Sequence, residues 1–326
     1  MSIGRGCLKV ATTSEYRLLD LHCDTVTRCL EEGCNLDHPN LHFSLSRLPK
    51  SIKLCQAAAI YIPDQYRGKE AQDYFTRAYQ LYRAECARKQ GELQSLQDFG
   101  SLPRGRATFF LTVEGGAALG GDLAWVDKLW NLGVRMMTLT WNGANEIAGG
   151  AGSGGGFTPF GRQVVARMEE LGMAVDVSHL SDEGFWELCE FATAPFCASH
   201  SNARALCNHP RNLTDEMLRE IIRRKGVVGI NYCRRFLTPE GEGANIDAIL
   251  RHIHHILDLG GEDAVALGSD FDGTDLPDDL QGVQDLEPFV QRLLQSGLSE
   301  EMIGKLLFEN AWTYLKGLQK QGRNLP

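Results

Sequence analysis

No run of 18 apolar residues occurs in this 326-residue chain, so no segment is long enough to span a bilayer as a helix. Positive charge is also short: 33 Lys and Arg stand against 42 Asp and Glu, a net charge of −9. Binding to nucleic acid needs a concentrated basic face, so that partner is excluded, as a membrane is by the first absence. Cysteine is sparse, with 10 residues at irregular spacing and no CxxC pair, which argues against both a disulfide framework and a finger-type zinc site. Cys55, Cys197 and Cys233 lie inside apolar runs and read as reduced, buried thiols. The opening residues lack the apolar core of a secretory leader, so a cytoplasmic setting is expected. No Pro- or Ser-rich linker and no fixed-period repeat divides the chain. The hydrophobic share of 43% and charged share of 23% suit a globular protein with a sizeable core, in two domains of about 160 residues or one large barrel.

What is present is alternation. Short apolar runs recur at 17–24 (RLLDLHCD), 54–62, 107–115, 134–141, 174–179, 196–201, 227–232 and 264–271, eight in all, separated by amphipathic stretches. That pattern predicts parallel strands covered by helices. Ser181, Thr214 and Ser299 each precede acidic residues and are expected to cap helices. The last helix carries Ile303, Leu307, Ala311 and Leu315 at intervals of four and is expected to end at Lys316 and Gly317. A helix over 69–89 would turn Tyr74, Ala78, Leu81 and Tyr82 inward. The expected architecture is a single (β/α)8 barrel, one domain over 1–326. The glycine-rich segment 149–156 (GGAGSGGG) reads as a loose surface connection or a mobile lid, and it lacks the form of a phosphate loop.

Barrels of this kind place their chemistry at the C-terminal ends of the strands. There the first run ends in His22 and Asp24, the third in Glu114, the fifth in His179, the sixth in His200 and the eighth in Asp270. One strand-end histidine is ordinarily structural; a set converging on one mouth is not. Imidazole and carboxylate are the usual ligands of catalytic zinc. His22 and Asp24, two apart on a strand, share a face and can grip one ion, while Glu114 can bridge a metal pair about 3.5 Å apart whose second member takes His179 and His200. The cluster His252, His254 and His255 reads as a solvated helix face, and His38, His42 and His209 as loop residues. Trp125, Trp130, Trp186 and Trp312 read as packing residues. Asp272, Asp275, Asp278 and Asp279 read as a solvated acidic loop in which Asp272 can brace Asp270.

With these residues in view the chain resembles the renal (membrane) dipeptidase family, the M19 zinc peptidases. The motifs span nearly all of it: 20–24 (DLHCD), 112–116 (TVEGG), 133–140 (GVRMMTLT), 176–179 (DVSH), 198–202 (ASHSN), 210–213 (PRNL), 268–273 (GSDFDG) and Glu309-Asn310. The resemblance implies an amidohydrolase-type barrel with two Zn2+ per chain, bound by His22 and Asp24, by His179 and His200, and bridged by Glu114. It further implies that Arg211 anchors the C-terminal carboxylate of a small peptide and that Asp270 transfers the proton as a bridging water attacks the peptide bond. Family members often pair, which makes a homodimer an expectation without a visible interface. Where the mammalian pattern has a substrate-contacting histidine after LTLT, this chain has Trp141 and then Asn142. Asn142 becomes a candidate hydrogen-bond donor in its place, and Tyr232 a candidate substrate contact. The mammalian enzymes are lipid-anchored, whereas the tail LKGLQKQGRNLP carries no hydrophobic anchor signal. Two rivals stand beside a dipeptidase: another binuclear-metal amidohydrolase acting on N-acyl amino acids, lactams or lactones, and a non-catalytic barrel. The second would be betrayed by a lost ligand, and all five positions are filled.

Overall fold

The computed structural model describes residues 15–322; the opening residues read for a leader and the last four of the tail lie outside the described residues. Eight strands are formed among the described residues: β1 (Tyr16–Asp20), β2 (Ile52–Tyr61), β3 (Leu93–Leu96), β4 (Ala107–Glu114), β5 (Val134–Thr138), β6 (Ala174–Asp176), β7 (Val228–Ile230) and β8 (Val265–Leu267). Pairing is parallel throughout, in the order β6-β5-β4-β2-β1-β8-β7. The sixth apolar run closes the ring between β6 and β7. It does so through two single bridges, Cys197 to Asp176 and Ala198 to Val228, not as a full strand. The reason is local: Ser199 turns both its N–H and its hydroxyl onto the Asp176 carboxylate, at 2.8 and 2.6 Å, instead of continuing a ladder. The result is the expected (β/α)8, or TIM, barrel.

β3 was not expected. It is a short, polar piece (LQSL) that pairs with β4 from Ala107 to Phe110, below the point at which β5 joins at Leu111. Its period-2 signal is too brief to stand out.

Alternation along the strands sorts the core into two layers. Leu18, Leu54, Phe109, Met137, Val175 and Val265 face the surrounding helices. Leu19, Cys55, Phe110, Met136, Ala174 and Ala266 share a second cluster with Phe308, Trp312, Leu315 and Leu318 of the terminal helix. That helix therefore lies against the barrel interior. Asn310 stitches it in place, its amide donating to the carbonyls of Glu262 at 3.0 Å and Val265 at 2.8 Å. The helix runs as Glu300–Gly304, a π segment Lys305–Glu309 and Asn310–Gly322, so it passes the expected end at Gly317 by five residues.

Among the covering helices, α1 (Thr25–Glu32) follows β1 directly and α2 (Gly68–Arg88) follows β2, burying Tyr74, Ala78 and Tyr82, with Leu81 half-buried. The hydroxyls of Ser181, Thr214 and Ser299 accept from Gly184, Met217 and Met302 N–H at 2.9, 3.3 and 3.1 Å, capping their helices as the sequence predicts. No helix among the described residues is long and apolar enough to cross a membrane.

The glycine-rich segment is a hydrogen-bonded hairpin, not a loose connection. Gly149 and Gly156 pair, Ala151 N–H donates to His179 O at 2.7 Å, and Gly152 N–H donates to Asn142 O at 2.9 Å. A Cβ on Gly150 would collide with the backbone oxygens of Trp141 and Asn142. The glycines are there because the hairpin packs directly behind two backbones that serve the barrel mouth.

Candidate active site at the barrel mouth

A cavity of about 850 Å³ opens at the C-terminal end of the barrel, lined among others by Asp24, Glu114, Trp141, Asn142, His179, Arg211 and Asp270. The strand-end residues do converge there. His22 Nε2 stands 3.2 Å from Asp24 Oδ2 and 3.6 Å from Glu114 Oε2. The other carboxylate oxygen, Glu114 Oε1, lies 2.8 Å from His179 Nε2 and 3.4 Å from His200 Nε2. Asp270 Oδ1 is 3.9 Å from His22 Nε2. Three of the residues that build the mouth, His179, Asp270 and Asp272, hold left-handed backbone conformations, with φ of 69°, 62° and 67°. Such conformations cost energy for residues other than glycine and gather at functional sites.

The proton inventory shows what this mouth can hold. Ser199 Oγ donates to Asp176 Oδ2 at 2.6 Å, so at 2.7 Å from His200 Nδ1 it must accept that nitrogen's proton. His179 Nδ1 lies 3.0 Å from Asn142 Oδ1, an acceptor, and so donates as well. Both rings therefore turn an Nε2 lone pair inward, and the two nitrogens are only 3.1 Å apart. Burial holds both imidazoles neutral: it pushes the His179 pKa down to about 4, aided by Arg211, and the His200 pKa well below the usual histidine range, aided by His22. For Glu114 burial opposes ionisation, but the opposing pull led by His22, itself pushed up by Asp24 and Glu114 against its burial, holds the carboxylate low. Asp24 Oδ1 is buried and accepts no hydrogen bond among the described residues. Facing lone pairs, a carboxylate between them and an orphaned oxygen form a set that repels itself unless a cation enters. His22, Glu114 and His200, and again His22, Asp24 and Asp270, each bring one ligand atom within 4.8 Å of the others.

Around this set the supporting shell is dense. Asp20 Oδ1 accepts from His22 N–H at 3.1 Å and Ser269 N–H at 2.9 Å, tying the end of β1 to the end of β8. Asn231 Nδ2 donates to Asp270 Oδ2 at 2.9 Å, and Asn231 is in turn locked to Asn202 by reciprocal bonds of 2.9 Å. Sequence reasoning missed Asn231; its only signal was a polar residue closing the apolar run VVGINY. Gly273 must lack a side chain, because a Cβ there would collide with the carboxylates of Asp24 and Asp270.

The comparisons with known proteins agree with this geometry. The model of the membrane dipeptidase family, peptidase family M19, matches residues 9–325. The chain belongs to the M19 membrane dipeptidase family. A solved M19 metallopeptidase, dipeptidase AC, superposes with a TM-score of 0.88 at 27% identity, covering 93% of this chain and 98% of that one. A metallopeptidase from Rhodobacter sphaeroides, solved with a phosphinate mimic of the dipeptide L-Ala-D-Ala, gives 0.87 at 26% identity, covering 93% and 99%. An uncharacterised Klebsiella pneumoniae protein from the pqqA 5′ region is 38% identical over 220 residues, 64% of this chain and 81% of its own length. The protein is accordingly a metallo-dipeptidase, an enzyme of metal-dependent peptide hydrolysis.

Several expectations for this M19 enzyme are corrected by the structure. Tyr232 does not line the cavity: it is fully buried, its ring set 5.9 Å from Phe271 and 5.8 Å from Phe289. Its side chain turns into the core, while that of its neighbour Asn231, also fully buried, reaches Asp270 behind the mouth. Asn142 does line the cavity, but its carbonyl oxygen is committed to His179 Nδ1. Asp272 is not a brace for Asp270 in a solvated loop. It is buried, accepting from Thr25 Oγ1 at 2.6 Å and from the N–H groups of His42 and Phe43 at 2.6 and 3.2 Å. The rest of its loop is solvated as expected: Asp275, Asp278 and Asp279 are exposed, Asp278 pairing with Arg234 and Asp279 accepting from Ile246 N–H at 3.0 Å. His252 is also not a solvated residue: it is fully buried, between Ala203 N–H at 3.1 Å and Leu237 O at 3.0 Å. Trp141 faces the cavity, edge-on to Tyr61 at 5.0 Å, and narrows it from that side.

Arg211 is almost buried, touches His200 O at 3.4 Å, and makes no salt bridge among the described residues; its Nε is left without a partner. A buried guanidinium on a cavity wall, with no salt bridge among the described residues, has the planar fork that suits a carboxylate.

Proposed function

We propose that the chain acts as one barrel unit, 1–326, hydrolysing dipeptides at a two-zinc centre, with His22 and Asp24 on one ion, His179 and His200 on the other, and Glu114 bridging them. The observation that carries this reading is the split of Glu114 between its two oxygens: Oε1 toward His179 and His200, Oε2 toward His22. Bound zinc would supply a Lewis acid for the scissile carbonyl and an acidified water as nucleophile. The chain's own residues do the rest. Arg211 grips the C-terminal carboxylate with its planar fork and so measures one residue beyond the cut bond, which makes longer peptides poor substrates. Asp270, its pKa raised by burial against the opposing pull of His22 and oriented by Asn231, accepts the water's proton and returns it to the leaving amine.

The substrate class extends to Xaa-D-amino acid dipeptides, a reading supported by the L-Ala-D-Ala mimic held by the Rhodobacter relative. The decisive experiment measures metal per chain and dipeptide turnover after chelation and after stepwise return of zinc. The reading requires about two ions for full activity, and full turnover by the metal-free protein would sink it. A panel of Xaa-L and Xaa-D dipeptides beside N-acyl amino acids, lactams and lactones tests the substrate; preference for the last three would replace the dipeptide reading with the general amidohydrolase one.

A further inference from the structure

Away from the barrel mouth, the far end of α1 gathers donors of a different kind. The helix stops at Glu32, and Gly33 takes a left-handed conformation, φ 64° and ψ 31°, that reverses the chain. The reversal brings one ligand atom each of Glu32, Cys34 and His38 within 4.8 Å of one another. The turn that holds them is fixed at several points. Cys34 N–H donates to Cys29 O at 3.0 Å, and His38 N–H to Asn35 O at 3.0 Å. Leu36 is buried in the core, its N–H donating to Glu85 Oε2 at 2.9 Å, and Asp37 is held by Arg88 and Lys89, each at 2.8 Å. The three donors therefore sit on a preset loop, and that loop leads to His42 and Phe43, whose N–H groups hold Asp272.

The donors are available. Cys34 is half-buried, with the buried Cys29 thiol in hydrogen-bonding reach beneath it. Among the described residues the His38 ring takes only a long, 3.4 Å contact from Asn40 N–H to Nδ1, which a ligating ring can give up. Glu32 uses Oε1 for the exposed pair with Arg28, leaving its other oxygen.

We infer that Glu32, Cys34 and His38 form a second metal site, for a borderline-soft divalent cation such as zinc, distinct from the dipeptidase centre. Thiolate, imidazole and carboxylate are the zinc donor set, and water completes four-coordination. Ligand atoms around a tetrahedral zinc at bond lengths of about 2.0–2.3 Å lie nearer together than 4.8 Å, so the ion draws the loop in slightly. The dipeptidase centre begins at Asp24, the residue before α1, so eight helical residues, about 12 Å, separate the two sites. This ion fixes the turn after α1 and takes no part in hydrolysis.

Cobalt(II) tests the assignment, because a thiolate–cobalt bond gives a charge-transfer band and the residues proposed for the dipeptidase centre include no cysteine. The enzyme with about two zinc ions per chain, enough for the dipeptidase centre alone, is kept under a phosphine reductant to exclude a Cys29–Cys34 disulfide, titrated with cobalt and then assayed for metal per chain. The wild type should bind one cobalt more than the Cys34→Ser and His38→Ala variants, show the thiolate band that both lack, and gain thermal stability that both fail to gain. Both variants should retain dipeptide turnover, which also certifies that they fold; Glu32→Gln serves as a third variant with the thiol intact. Equal cobalt uptake in all forms, or a band persisting without Cys34, would overturn the site. The outcome is independent of what the barrel mouth hydrolyses.

Discussion

Asn142 Oδ1 and His179 Nδ1 meet at 3.0 Å across the barrel mouth, and this one bond fixes which nitrogen of His179 faces the candidate metal. Ser199 does the same for His200, backed by Asp176. The two histidines proposed for the second ion are thus oriented by neutral acceptors, one of which stands beside the position where the mammalian pattern keeps a histidine. Partners of ligating imidazoles tune metal affinity as well as ring orientation.

Replacing Asn142 therefore separates two roles. If it orients His179, Asn142→Ala should weaken metal retention about 10- to 100-fold, while Asn142→Asp, which keeps an acceptor oxygen, should retain the metal. Equilibrium dialysis against a graded chelator checks this. Unchanged metal affinity with a lowered kcat in the alanine variant would instead return Asn142 to the role of a donor to the substrate carbonyl.

Arg211 invites a test on the substrate side. Its guanidinium makes no salt bridge among the described residues, so removal should leave the fold intact and fall on binding of the peptide carboxylate. Arg211→Ala should lower kcat/KM for dipeptides about a hundredfold, the scale of a charge-assisted pair worth ~3 kcal/mol. Dipeptide amides, which lack the carboxylate, should be hydrolysed alike by both forms. An equal loss on both substrates would show that Arg211 supports the site without reading the carboxylate.

Much of this site was legible because two periodicities coincide. The alternation of apolar runs predicted the staves, and the stave ends carried residue types that have little business in a core; His22, Asp24, Glu114, His179, His200 and Asp270 were found this way. What was not legible depends on three-dimensional neighbours. Tyr232 and Asn231 are adjacent and both fully buried, and only their opposite side-chain directions decide which of them reaches Asp270. Ser199 and Asp176 look like ordinary strand residues until the Ser199 hydroxyl is seen between Asp176 and His200. Arg211 lies on a loop with no periodicity and came only from the family motif. The glycines of 149–156 were read as freedom, whereas at 149 and 150 they mark close backbone packing.

His252 gives the protein a pH-dependent element of stability. Burial pushes its pKa down to about 4, against the weaker raising effect of its bond to Leu237 O, from an ordinary value of 6.5. The unfolded chain thus takes up a proton that the folded one refuses between those values. The contribution is full above pH 6.5 and is lost as pH falls toward 4. By pH 5 the loss should reach about 2 kcal/mol. Urea unfolding of the wild type and of His252→Gln at pH 7 and pH 5 isolates it, since the amide can serve both Leu237 O and Ala203 N–H without titrating. The wild type should lose more stability on acidification than the variant; parallel losses would mean that His252 does not titrate as its burial requires.

Gly150 offers the sharpest test of the hairpin behind the site. A methyl group there meets the carbonyl oxygens of Trp141 and Asn142. Backbone cannot step aside as a flexible side chain does, so either the hairpin lifts or the 141–142 segment shifts. The same segment places Asn142 against His179, and Ala151 N–H holds the His179 carbonyl from the hairpin itself. Gly150→Ala should therefore cost about 1–3 kcal/mol of stability, as overpacking does, and also weaken metal retention. Gly154→Ala is the control: its Cβ would meet nothing within 4 Å, although its φ of +67° carries a strain of its own. It should lose stability while keeping metal affinity. Metal retention that stays intact in Gly150→Ala, with stability lost in both, would show that the hairpin supports the fold but not the site.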